Sequence, residues 1–218
     1  IVPKIDEDGA GYVSASGSYF GQYIDLDGTG AKDNQELIKK YRMIAEHPEC
    51  DAALEDIVNE SIVTGELESS ITVNLDKVEA PDKIKKTITE EFNGIVAMLS
   101  FEEYGHDMFR SWYVDGRLYH HLVVNESNMK AGIQEIRPID ATKIRKVKEV
   151  QYKKDAKTGA KVVDKTNEFY IYQERAGANN GIKLTADSVS YVTSGLLDTS
   201  KKRVLSYLHK AIKPVNQL

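Results

Sequence analysis

Apolar side chains repeat at helical spacing through the first half of the chain. A first helix is predicted to begin at Asp33, because Glu36 stands in the capping-box position three residues later. It should end before Pro48, since the residue preceding a proline disfavours helical backbone. A second helix is predicted from about Asp51 to a glycine C-cap at Gly65. Each carries one apolar face, which predicts packing against a common core.

A third helix is predicted to open at Pro81, because proline is favoured at the first helical position. One apolar stripe runs along it, and we expect this stripe to be core: Ile84, Ile88, Phe92, Ile95, Val96 and Leu99. The stripe is expected to resume after a bend, at Tyr104, Met108, Phe109 and Trp112. Before this helix, apolar and polar residues alternate over 71–75, which predicts one short strand.

From Asp115 and Gly116 onward, the repeat changes from that of a helix to that of a strand. Strands are predicted over 118–124, 133–138, 144–152, 162–172, 182–184 and 189–192. A last helix is predicted to begin at Ser200 and to carry Val204, Leu205, Leu208 and Ile212. Because helices come first and strands second, we expect an α+β fold, with a helical part followed by an antiparallel β-rich part.

This pattern divides the chain into four parts. Residues 1–31 hold six glycines, five acids and one lysine without any periodic apolar face, so we expect a flexible acidic arm. A helical part follows over 32–114, then a β part over 115–199 and a closing helix over 200–218. The chain begins with Ile1 and runs off its last helix without a capping signal, so we read it as a fragment of a longer chain.

Composition and motifs give no indication of an enzyme. The chain is 41% hydrophobic with a net charge of −5, which is ordinary for a globular protein and carries no overall nucleic-acid signature. The single cysteine, Cys50, excludes an internal disulfide and a cysteine-rich zinc site. His120 and His121 are adjacent on a predicted strand and should point to opposite faces. We therefore predict no catalytic residue, no metal site, no cofactor and no small-molecule substrate.

The strongest charge feature is the predicted hairpin at 143–165. It holds nine lysines and arginines against three acids, a net charge of +6. Such a ribbon can neutralise phosphates, so one hypothesis is a nucleic-acid-binding module. Cationic side chains also protect an exposed sheet edge from aggregation, and an acidic protein partner would explain the same pattern. Lys153, Lys154 and Lys157 near its tip are the candidate partner-contact residues.

Several short segments resemble one protein family in the same order along the chain. They are 109–119 (FRSWYVDGRLY), which includes the single tryptophan, 132–140 (GIQEIRPID), 194–198 (SGLLD) and 207–218 (YLHKAIKPVNQL). Together with 36–38, 41–42 and 73–77, they are similar to the portal vertex protein of T-even-type tailed bacteriophages. The resemblance extends over about 33–218, whereas the arm at 1–31 matches poorly.

The resemblance implies a structural subunit of a dodecameric ring at one vertex of the capsid. Such a ring supports head assembly, genome packaging and genome ejection, in the virion and, during assembly, in the host cytoplasm. The implied partners are other copies of the subunit, the major capsid and scaffold proteins, the terminase large subunit, neck proteins and double-stranded DNA in the channel. The 218 residues would form most of the outer wing. The stem, clip and tunnel loops, which touch DNA and motor, would lie outside them.

One prediction follows from the charge pattern. The acidic arm 1–31 and the basic hairpin 143–165 carry opposite charges and can meet across a contact between subunits. Charge reversal at Lys153, Lys154 and Lys157 in the whole protein should therefore impair ring formation or head assembly, measured by electron microscopy. Unchanged assembly would contradict this use of the hairpin.

Overall fold

The computed structural model describes residues 11–15, 30–63, 69–125, 127–154, 161–174, 181–199 and 203–215. Side chains are described in these ranges except at 11–15, 30–33, 149–154 and 161–166. The α-helices are α1 Gly30–Ala45, α2 Pro48–Ser61, α3 Asp82–Met98, α4 Phe101–Asp115 and α5 Ile212–Val215. The strands are β1 Gly11–Ala15, β2 Arg117–Val124, β3 Ile133–Ile139, β4 Ile144–Lys154, β5 Lys161–Tyr172, β6 Ile182–Thr185 and β7 Val189–Thr193. The predicted α+β class is confirmed.

Helices α1, α2 and α4 pack around one apolar cluster. Tyr41 of α1, Leu54 of α2 and Val114 of α4 are buried in it, together with Leu208 from the end of the chain. Helix α1 begins at Gly30, three residues before the predicted start, and ends at Ala45, before Pro48 as predicted. Helix α2 begins at Pro48 itself, because proline fits the first helical turn. Its predicted cap, Gly65, lies outside the described residues.

The predicted strand at 71–75 does not form. Ile71, Val73 and Leu75 are half-buried and the residues between them are exposed, so the alternation is present. A strand, however, needs a neighbour for its N–H and C=O groups, and no described strand pairs with this stretch. It therefore runs extended into α3 without joining a sheet.

The described strands of the β part form two separate sheets rather than a single antiparallel set of strands. Strands β3, β2 and β7 form one sheet in that order, and β1, β4, β5 and β6 form the other. Each strand from β2 to β7 begins and ends within two residues of its predicted bounds, and these six strands pair antiparallel. Strand β1 was not predicted, since 11–15 falls in the expected arm. It pairs parallel with β4, which supplies the backbone partners that its own sequence pattern does not reveal.

A tyrosine cluster joins the two sheets and α1. Tyr119 of β2 stacks on Tyr191 of β7, with ring centroids 4.5 Å apart, and meets Tyr170 of β5 edge-on at 6.2 Å. Ile38 of α1 and Val189 are buried in the same cluster. Burial raises the pKa of Tyr119 well above its ordinary value, so this hydroxyl stays protonated at neutral pH.

The predicted helix from Ser200 is wrong over 203–206, and its first three residues lie outside the described residues. Val204 forms an isolated antiparallel bridge with Leu197, and its carbonyl accepts a hydrogen bond of 2.6 Å from Arg117 Nη2. Because these backbone groups have partners outside any helix, helical structure starts only after Ser206. The hydroxyl of Ser206 accepts from Leu208 N–H, and a 3₁₀ turn then leads into α5.

Arg42 of α1 holds the helical part against the β part. Its guanidinium donates from Nε and Nη2 to the two oxygens of Asp115, at 2.9 and 2.7 Å, and also to Asp140 after β3. Asp115 is 4% exposed, so its charge is balanced by Arg42 rather than by water. Burial raises the pKa of Asp140, but the hydrogen bonds from Arg42 and Thr142 outweigh it and hold this pKa at about 2.

Loss of Arg42 should destabilise the fold more than loss of an exposed arginine. Arg42→Leu leaves the buried Asp115 carboxylate without its bidentate partner, so we expect the free energy of unfolding to fall by about 2–3 kcal/mol. Arg137→Leu removes an equally short pair with the exposed Glu135 and is the matched control. It should leave the unfolding free energy nearly unchanged. Urea unfolding of both variants measures the difference, and equal losses would contradict the role given to Asp115.

Candidate interaction surface

The turn between α4 and β2 places an aromatic cluster at the junction of helix and sheet. Gly116 adopts φ 71°, and a Cβ there would lie 2.6 Å from the Leu205 carbonyl oxygen, so only glycine fits. Trp112 lies 5.4 Å from Tyr207 between ring centroids, and Tyr113 stacks on Tyr207 at 4.7 Å. Trp112 therefore lies close to the junction of helix and sheet.

An open apolar groove of about 320 Å³ lies beside this cluster. One wall is the first half of α4 with the bend before it, and the other is the face of β2 and β7. Its lining includes Leu99, Phe101, Met108, Trp112, His120 and Val192. The groove is too small for a whole helix, which is about 10 Å across, but it can accept apolar side chains projecting from one.

Two buried polar atoms belong to residues that line the groove. Trp112 Nε1 and His120 Nε2 find no hydrogen-bond partner among the described residues. His120 is 7% exposed, and burial lowers the pKa of its imidazole. An unpaired buried polar group costs about 1–3 kcal/mol, so such atoms mark places where a partner from outside would be stabilising.

The apolar stripe of α3 is exposed, which corrects the prediction that it is core. None of the 17 residues of α3 is buried, and Ile84, Ile88, Ile95 and Met98 are between 37% and 50% exposed. A bend at Ser100, with φ 47°, turns the chain from α3 into α4. Phe92, Val96 and Leu99 of the predicted stripe are half-buried, so the described residues cover this apolar face only in part.

The two uncovered surfaces differ in charge at their rims. Three exposed or half-buried lysines lie near the start of α3: Lys83, Lys85 and Lys86. Three exposed acids lie on the first turns of α4, beside the groove: Glu102, Glu103 and Asp107. The start of the stripe, residues 82–86, thus carries a net charge of +2, although Lys86 lies 3.7 Å from Glu90 further along the helix. The groove has an acidic border.

The basic hairpin is partly neutralised within the chain. Lys146 and Lys148 of β4 both lie 3.1 Å from Glu168 of β5, and Lys148 is 1% exposed. Burial raises the pKa of Glu168, but its hydrogen bonds with the two lysines outweigh this and lower it. Glu168 lies just beyond the predicted hairpin, but the observed register places it opposite Lys148. Counting outward from the turn would have paired Lys148 with Asn167, because a register shift between Gln151 and Tyr152 moves the pairing by one residue.

The candidate contact residues at the tip of the hairpin are not tested. Lys153 and Lys154 lie at the end of β4, where side chains are outside the described part, and Lys157 lies outside the described residues altogether. Their contact with a partner, and contact of the hairpin with DNA, stay predictions.

The described residues bring together no constellation that would carry chemistry. His120 and His121 occupy β2 as predicted, with His121 opposite Arg137 of β3. Across the described ranges, no three histidine, cysteine or acidic side chains lie where they could share a metal ion. Nor does any described helix have the length and apolar character needed to cross a membrane. Arg110 of α4 makes an ion pair with Asp51 of α2.

Comparison with known proteins identifies relatives over most of the chain. The family described as Bacteriophage T4-like portal protein (Gp20) matches residues 34–218. A portal protein of Vibrio phage KVP40 is 34% identical over 207 residues, covering 89% of this chain and 40% of the relative. A portal protein of Salmonella phage ViI is 30% identical over 199 residues, covering 84% of this chain and 35% of the relative. The chain thus spans well under half the length of these relatives.

The burial of His120 predicts a pH dependence of stability. Because burial lowers its pKa in the folded protein, the unfolded chain takes up the proton first as pH falls below about 6.5. The stabilising contribution of neutral His120 is therefore complete above that pH and is lost below it. His120→Leu should flatten the fall in the urea midpoint between about pH 7 and 5. His121→Leu is the control on the opposite face, and an equal flattening there would contradict the assignment.

Proposed function

This chain belongs to the T4-like portal protein family, and on that premise we propose that it is a structural subunit of a phage portal ring. The ring forms the vertex through which DNA enters and leaves the capsid, and it supports head assembly, packaging and ejection. The match over 34–218 is the observation that carries this proposal, because it includes most of α1, the other four described α-helices and six of the seven described strands. We propose no chemical reaction for the chain.

The geometry supports an assembly role. A closed ring needs a heterologous contact, in which one surface of a subunit meets a different surface of the next. The chain presents two such surfaces that its described residues leave uncovered, the stripe of α3 and the groove beside α4. The cores around Tyr41 and Tyr119 are well filled, so these surfaces are local features of an otherwise packed protein.

The proposed partners divide by location. Contacts with neighbouring subunits, the major capsid protein and scaffold fall to this segment, which we propose to be most of the outer wing. Contacts with channel DNA, the terminase large subunit and neck proteins fall to other parts of the portal subunit. The proposed site of action is the capsid vertex of the virion, with assembly in the host cytoplasm.

Electron microscopy of the natural protein that contains this sequence tests the proposal. Rings of about twelve subunits with an axial channel and peripheral wings are expected. In a reconstruction, the fold described here should fit the periphery, with the stem and channel built from other residues. A persistent monomer at several salt concentrations, with scaffold protein supplied, would contradict the proposed ring.

A further inference from the structure

Helix α3 has the pattern of a binding helix rather than of a core helix. Its apolar residues follow spacings of four, four, three and four through Ile84, Ile88, Phe92, Ile95 and Leu99. These are the positions by which an amphipathic helix anchors in an apolar groove. Yet none of the α3 residues is buried, and the helix has its main contact with α4. Exposed apolar stripes of this kind mark protein contacts.

The groove beside α4 has the complementary character. It is apolar, open, and sized for a few large side chains. It also holds the unpaired Trp112 Nε1 and His120 Nε2. Glu91 interrupts the α3 stripe on the same face, three residues after Ile88 and four before Ile95, and it is exposed. A helix docked by this face would bring a carboxylate acceptor towards the unpaired indole N–H.

The groove and the start of the stripe are opposite in charge. Residues 82–86 carry a net charge of +2, although Lys86 also pairs with Glu90, and Glu102, Glu103 and Asp107 border the groove. Opposite charges at the rim of an apolar contact favour one orientation and speed its formation. The same arrangement opposes groove-to-groove pairing, which would bring the acids of the two rims together.

We propose that α3 of one copy docks by its apolar stripe into the groove between α4 and the β2–β7 face of the neighbouring copy. This inference rests on the proposed ring, because it supplies the head-to-tail contact that a ring of identical subunits needs. The occupant is thus a second copy of this chain. Helix α3 meets the groove of its own subunit only at its end, where Leu99 is part of the lining.

Crosslinking between differently labelled copies tests the contact. In the natural protein, with Cys50 and any other cysteine replaced by serine, one variant carries Ile88→Cys and a second, tagged variant carries Val192→Cys. Both positions are exposed, so folding should be unaffected. Treatment of mixed rings with a short bismaleimide should join the two variants into a covalent dimer. Met43→Cys replaces Ile88→Cys in the control, because Met43 lies on α1 and is more exposed than Ile88 (70% against 38%), and it should give no dimer.

The outcomes separate this inference from the proposed function. Rings that form without a dimer would overturn the α3 contact and leave the portal role standing. A protein with both cysteines in one chain tests the remaining alternative, since crosslinking only within the chain would mean that α3 folds back on its own groove. Failure to form rings without any substitution would instead contradict the proposed function.

A charge exchange provides a second, independent test. Lys85→Glu with Lys86→Glu should reduce the fraction of protein in rings by about tenfold at low salt, because acids would face acids across the contact. Adding Glu102→Lys and Glu103→Lys should restore assembly. Thermal unfolding of the dissociated subunits checks that each variant folds. Loss of assembly without restoration, or no loss at all, would overturn the proposal.

Discussion

The burial of Asp115 at the end of α4 is the constraint on which the arrangement of the whole chain depends. A carboxylate in that position requires a cation, and Arg42 of α1 supplies it in bidentate geometry. The next two residues, Gly116 and Arg117, also fix the position of a neighbouring segment. Gly116 passes so close to the Leu205 carbonyl that no side chain fits, and Arg117 holds the Val204 carbonyl. Asp115, Gly116 and Arg117 therefore join α1, the β3–β2–β7 sheet and the segment at Val204 and Leu205. This junction sets the shape of the groove beside α4.

Most of the secondary structure was predictable, because each element carries a local signal. The alternation in β2 to β7 located six strands within two residues, and Pro48 separated α1 from α2. The wrong predictions of secondary structure have one cause. A local sequence pattern does not show which distant residues will pair with a segment. Residues 71–75 alternate but meet no neighbour, whereas 11–15 show no pattern and pair with β4. At Val204, a distant arginine and a bridge to Leu197 override helical spacing.

The candidate surface was predictable only in part. The stripe of α3 is evident in the sequence, but periodicity states that a helix has an apolar face and not what covers it. Periodicity therefore led to the prediction that the stripe is core, and the exposure of Ile84 and Ile88 corrects that prediction. The groove could not be foreseen, since it is formed by residues of α4, β2 and β7 that the fold brings together. The family resemblance identified the chain as part of a portal protein without indicating either surface.

The parallel pairing of β1 with β4 has a consequence for the order of folding. A ribosome releases Gly11 long before its partner Val147, so β1 has no partner in this sheet until the intervening α1 to β3 have been made. The β4–β5 hairpin is local and can close by itself. Strand β1 must join it afterwards, against a loop-closure entropy that spans α1 to β3. Strand β1 is thus made before the hairpin but added to the sheet after it.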